Sequence, residues 1–130
     1  MAPRHIDLPS YLSVLPLFQE MCPAELERLA EGSLLRNFDR FDEIFRVGQP
    51  CEEFHVVVTG QVKLYALSPA GHEKVIELIG PGHSFAEALM FTGKPYIVNA
   101  QALCDSRILT VRKHAVIDEI SHDPRFALRM

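Results

Sequence analysis

The sequence predicts a mainly β fold, an antiparallel roll or barrel closed by short helices at its N- and C-terminal ends, and three observations carry that prediction. From Ser33 onward the hydrophobic period changes from helical to two. The alternating runs are short and are punctuated by glycine turns. Helical spacing returns only in "KHAVIDEI", after Lys113.

The elements follow in order. In "LPSYLSVLPLFQEM", Leu8, Leu12 and Leu15 fall at helical spacing and Pro16 ends or kinks the run. "CPAELERLAEG" reads as a second short helix. Pro23 suits its first turn, Glu25 and Glu27 favour its positive end, Gly32 closes it, and Leu26, Leu29 and Ala30 form its apolar stripe. "FHVVVTGQVKLYAL" reads as two strands around Thr59 and Gly60, with Phe54, Val56 and Val58 on one face and Val62, Leu64 and Ala66 answering them. "SPAGHE" is a turn, "KVIELI" a strand, "GPGHS" a loop and "FAEALMF" one or two helical turns. "YIVNAQALC" and "RILTVR" are the last strands, joined at Asp105 and Ser106. Val116, Ile117 and Ile120 mark the closing helix.

At 130 residues the chain is read as one domain with a real core. Hydrophobic residues make up 48% and charged residues 23%, as in ordinary globular proteins. A net charge of -4 lacks the clustered Lys and Arg that a nucleic-acid surface needs, so this stretch is not expected to hold DNA by itself. Cys22, Cys51 and Cys104 are an odd, widely spaced set, expected as reduced thiols in a cytoplasmic protein. No apolar run approaches the ~20 residues of a membrane span, and no signal-peptide core is present.

The ordered set Gly48, Gly60, Gly71, Gly82 and Glu87, with strands between, resembles the β-roll (a double-stranded β-helix or jelly roll) of cyclic-nucleotide-binding domains. More narrowly it resembles the sensor domain of the CRP/FNR superfamily of transcription regulators, from about Leu12 to the end of the chain. "SFAEALMFTGKPYIVNA" is similar to that family's phosphate-binding cassette, in which a Gly lets the ligand approach, a Glu takes the ribose hydroxyl and an Arg neutralises the cyclic phosphate. Glu87 matches the Glu, Ala86 stands for the Gly, and Tyr96 stands for the Arg. Losing that guanidinium forfeits a charge-assisted bond of about 1.5–3 kcal/mol. Lys94, in the neighbouring turn, is expected to point to solvent. The cassette's fold is therefore expected without its phosphate chemistry, and cyclic AMP is not the expected ligand.

By this resemblance the effector pocket takes in Ala86, Glu87, Ala88, Leu89 and Met90 around the short helix, and Tyr96, Ile97, Val98 and Asn99 after it. Glu87 reads equally as a helix cap, and Tyr96 reads more readily as a plain strand aromatic than as a ligand contact. With Ala86 in place of Gly, "FAEALMF" resembles the dissimilatory nitrate respiration regulators, which implies nitric oxide sensing through haem. The resemblance fixes no axial ligand. Among six histidines, His72 and His83 lie on turns flanking the roll and are the candidates. The three cysteines do not reproduce the spacing of an iron–sulfur sensor.

The resemblance further implies a sensor domain over residues 1–122, the start of a dimerisation helix at 123–130 with Ser121 or Asp123 as its cap and Pro124 in its first turn, and a helix-turn-helix domain that reads promoter DNA as a homodimer. Two other readings stay open. One is a cyclic-nucleotide-binding regulatory module of a kinase or channel, against which the missing Arg argues. The other is a cupin-like metalloenzyme, against which the lack of any His-x-His argues. No P-loop or nucleophile motif is present, and the protein is not expected to be an enzyme.

Overall fold

The computed structural model describes residues 8–15, 18 and 21–122, with only the backbone of Glu87, Ala88 and His122. In chain order the first elements are α1 (Leu8–Ser13), α2 (Pro23–Glu31), β1 (Ser33–Phe38), β2 (Glu43–Phe45), β3 (Glu53–Thr59) and β4 (Val62–Leu67). They are followed by β5 (Glu73–Ile79), β6 (Ser84–Phe85), α3 (Glu87–Met90), β7 (Asn99–Ala102), β8 (Ser106–Arg112) and α4 (Lys113–His122). Contacts divide the chain into two compact units, residues 35–110 and the pair of segments up to 34 and from 111. The helix expected from residue 123 lies outside the described residues, as does Pro16.

In the terminal unit α2 forms as its sequence dictates. Pro23 opens it, the Glu25 carboxylate accepts the Cys22 N–H at 2.9 Å, and the Gly32 N–H closes on the Leu29 carbonyl. Leu26 and Leu29 are its buried face. The buried face of α4 is turned from the one expected. Ala115, Val116 and Glu119 are covered while Ile117 is exposed. A carboxylate tolerates this burial because Arg28 of α2 donates to both its oxygens, Nε to Oε1 at 2.8 Å and a second nitrogen to Oε2 at 3.1 Å.

The other unit is a β-roll of two four-stranded sheets, in the orders β1-β8-β3-β6 and β2-β7-β4-β5. β3 pairs antiparallel with β6, and β4 with both β5 and β7. The expected alternation fails in β3, where Phe54, His55, Val56 and Val57 are all buried and Val58 is not. β3 is interior to its sheet and touches α3, so both of its faces are covered. At the opposite extreme β5 is an edge strand that leaves Val75, Ile76 and Leu78 half exposed.

The strand expected from Tyr96 begins only at Asn99. The reason lies in the partners its backbone finds. The Tyr96 N–H donates to the Gln49 carbonyl at 3.0 Å, and its own carbonyl accepts the Gly48 N–H at 2.9 Å. Asn99 Oδ1 accepts the Val47 N–H at 3.0 Å. Residues 96–98 are thus pinned by the loop after β2 and form a wall of the roll instead of joining a sheet.

Candidate functional site

Under that wall lies a stack of four rings. Tyr96, only 4% exposed, packs nearly parallel on Phe45, with centroids 3.7 Å apart and a 5° tilt. His55 and Phe85 are directly paired residues of β3 and β6 and stack at 5.0 Å. The rings come from both sheets and from the pinned segment, so they join the two inner faces of the roll.

The stack is polar at its centre. His55 Nε2 lies 3.0 Å from the Tyr96 hydroxyl, and its Nδ1 lies 3.1 Å from Thr110 Oγ1 on β8. A phenol is the stronger donor, so the consistent assignment has the Tyr96 O–H donating to Nε2 and Nδ1–H donating to Thr110. Burial pushes the His55 pKa down to about 3, and the positive charge of Arg36 adds to the shift. Burial also raises the pKa of the Tyr96 phenol, with Cys51 adding to it through its proximity and a hydrogen bond. Both groups are neutral at physiological pH.

Above the stack opens a cavity of about 330 Å³, lined by Phe45, Leu64, Glu77, Ser84, Phe85, Ala86, Leu89, Tyr96, Ile97 and Val98. Its walls are apolar except for Glu77 and Ser84, and none of these residues is basic. Of the residues expected around it, Ala86, Leu89, Tyr96, Ile97 and Val98 do line it. Met90 is buried away from the lining, Asn99 is spent on the Val47 amide, and Glu87 and Ala88 contribute their backbone to α3. Lys94 is exposed, as expected, and so are His72 and His83, neither of which lines the cavity. Sequence reading missed Phe45, Leu64 and Glu77 because they sit on strands distant in sequence, and it missed Ser84 and Phe85 because the expected pocket began only at Ala86, one residue beyond β6. It missed His55 because a histidine inside an apolar run carries no motif.

Ala86 stands just before α3 with φ 70°, in the left-handed region. An L residue there costs about 1–2 kcal/mol, partly offset in an Ala-to-Gly exchange by glycine's greater freedom when unfolded. Ala86→Gly is therefore expected to stabilise the protein by about 0.5–1 kcal/mol, read as a higher urea midpoint at unchanged slope. A lower midpoint would show that the Ala86 methyl packs better than the backbone suffers.

None of the three cysteines is in a disulfide; Cys51 is buried and the others are exposed. No group of three or more His, Cys, Asp or Glu able to hold a metal ion occurs among the described residues. No described helix is long and apolar enough to cross a membrane.

Comparison with known proteins places these features. The cyclic nucleotide-binding domain model matches residues 35–123. The solved sensor domain of the transcriptional regulator DNR from Pseudomonas aeruginosa is 33% identical, with a TM-score of 0.86 over 92% of this chain and 80% of that one. A CRP-like cAMP-activated global transcriptional regulator of Mycobacterium tuberculosis is 23% identical over 111 residues, 85% of this chain and 50% of the relative. An anaerobic regulatory protein of Bacillus subtilis is 25% identical over 113 residues, 85% of this chain and 48% of the relative. The chain spans about half the length of the curated relatives it matches.

Proposed function

We propose a function from one premise: the chain belongs to the cyclic nucleotide-binding domain family, as a sensor domain of the CRP/FNR type. It senses an effector that is largely apolar and is not a cyclic nucleotide. The observation that carries this reading is the orientation of Tyr96. At the position where the cassette supplies its Arg, the side chain is turned down into the ring stack, and the described residues that line the cavity above it include no cation. A cyclic phosphate there would give up its hydration for apolar walls and the Glu77 carboxylate, with no counter-charge. An apolar molecule with one hydrogen-bond donor meets complementary walls, with Ser84 and Glu77 as acceptors.

The whole protein is proposed to be a cytoplasmic transcription regulator and not an enzyme. It would act as a homodimer on promoter DNA through a helix-turn-helix domain of the kind its relatives' class implies. Effector binding beside α3 and residues 96–98 would shift the population between two arrangements of the dimer.

The finer reading, nitric oxide sensing through haem, rests on the likeness to the nitrate respiration regulators. The described cavity lining does not fit haem with an axial ligand of its own. It offers no histidine, cysteine or methionine, the Tyr96 hydroxyl is engaged by His55, and His72 and His83 lie elsewhere. Calorimetry is expected to give no micromolar binding of cyclic AMP or cyclic GMP, while the neutral fluorophore N-phenyl-1-naphthylamine brightens saturably on the protein. Tight cyclic nucleotide binding would overturn the apolar reading. A sharp Soret band on haem titration that is lost in His72→Ala or His83→Ala would restore the haem reading.

A further inference from the structure

We propose that His55 is a positioning residue of the sensor cavity: by holding the Tyr96 hydroxyl it keeps that ring beneath the cavity as its floor, and so sets the volume open to the effector. The inference rests on the reading of the cavity as an apolar effector site. It concerns a residue that lies outside the lining and acts through Tyr96.

The backbone of Tyr96 has no choice of path, since its N–H and carbonyl are both taken by the Gly48 and Gln49 backbone. What remains free is the direction of the side chain. Inward, the ring gains the parallel contact with Phe45, and the hydroxyl gains His55 Nε2 as its partner at 3.0 Å, with the buried Cys51 thiol beside it. Upward, the same ring would enter the cavity lined by Leu64, Leu89 and Val98, where its hydroxyl could meet water, since the neighbouring lining residue Ile97 is 68% exposed. The inward state therefore depends on a partner for the hydroxyl, because a buried phenol without one is strongly disfavoured and water offers an alternative.

His55 is itself held rigid. Thr110 fixes its other nitrogen from β8, and Phe85 and Phe45 stack beside its ring, Phe85 at 5.0 Å. Thr110, His55 and Tyr96 thus form one chain of hydrogen bonds that runs from β8 through β3 to the segment carrying Ile97 and Val98. An effector that presses on that segment works against this chain.

Nitration by tetranitromethane, read at Tyr96 by peptide mass spectrometry, tests the proposal without any ligand. Tyr96 is expected to be protected in the wild type and in His55→Gln, whose amide keeps a bond to the hydroxyl. In His55→Leu it is expected to react about tenfold faster, the factor that one hydrogen bond's net contribution corresponds to. N-phenyl-1-naphthylamine binding should weaken by a similar factor in His55→Leu and return in His55→Leu/Tyr96→Phe, where no hydroxyl is left to seek water. A merely structural role for His55 predicts no such rescue. Thr110→Val removes only the hydroxyl that orients the imidazole and carries the same test, with a smaller rise in nitration, should His55→Leu not fold. Equal protection of Tyr96 in the wild type and in a folded His55→Leu or Thr110→Val overturns the proposal. If the wild type binds no fluorophore, the apolar-effector reading fails, while the nitration rates still decide the role of His55.

Discussion

Gly60→Ala is expected to lower stability by about 3 kcal/mol, a large share of the roughly 5–15 kcal/mol that holds a domain of this kind together. Two costs add. Gly60 has φ 96°, where an L residue is strained by about 1–2 kcal/mol. A Cβ there would also lie 2.1 Å from Ser106 Oγ and 2.7 Å from Ser106 Cα. Ser106 cannot retreat easily. It is buried, its hydroxyl donates to the Cys104 carbonyl at 2.8 Å and accepts the Gln61 N–H at 3.3 Å, and the Leu103 N–H holds the Gln61 carbonyl at 2.9 Å. Forcing an extra carbon into such a site typically costs about 1–3 kcal/mol. Thermal unfolding followed by circular dichroism should show a fall of roughly 10 °C or more. Ser106→Gly should recover less than half of it, because the overlap with the Ser106 backbone remains. A Gly60→Ala protein that melts within about 2 °C of the wild type would show that the β3–β4 turn adjusts freely.

That turn was legible in the sequence, and the reason is local. Thr59 and Gly60 separate two apolar runs, and a glycine at such a place signals a positive φ whatever the rest of the fold does. The same locality made α2 readable, since its cap, its first-turn proline and its closing glycine are neighbours in sequence. The family likeness added the roll and the cassette, and with it the place of Tyr96. What no local signal carried was direction. Nothing in "KPYIVNA" states that the tyrosine turns inward, because its partners are His55, forty-one residues earlier, and the loop at Gly48 and Gln49. For the same reason residues 96–98 read as strand when the backbone of Tyr96 is spoken for by a loop. The stripe of α4 was misplaced because a buried glutamate breaks the apolar rule unless its arginine is known, and Arg28 lies 91 positions away.

The long-range partner of Tyr96 also sets how the protein responds to acid. His55 is neutral in the fold, with a pKa near 3, against an ordinary value of 6.5 when unfolded. Above pH 6.5 both states hold the imidazole neutral and its burial has no pH dependence. Between pH 6.5 and 3 the unfolded chain takes up a proton that the folded chain refuses, so stability falls by about 1.4 kcal/mol for each pH unit. From pH 7 to pH 5 this contribution amounts to about 2 kcal/mol, and it is exhausted below pH 3, where the folded state protonates as well. Arg36 deepens the effect, because its charge opposes a second cation at His55. Tyr96 works in the opposite direction at the other end of the scale. Its raised pKa keeps the phenol neutral in the fold, so stability is lost as pH rises above the ordinary tyrosine value. Urea unfolding at pH 7, 6 and 5 should show the acid slope in the wild type. His55→Gln bonds to the same hydroxyls but cannot titrate, and it should lose about 2 kcal/mol less over that range, all other titrating groups cancelling in the comparison. Parallel slopes for the two proteins would mean that His55 takes up its proton in the fold at the same pH as in the unfolded chain. The bond in which Tyr96 donates to a neutral imidazole would then do nothing to keep the ring unprotonated, since a protonated ring offers Nε2–H and no lone pair.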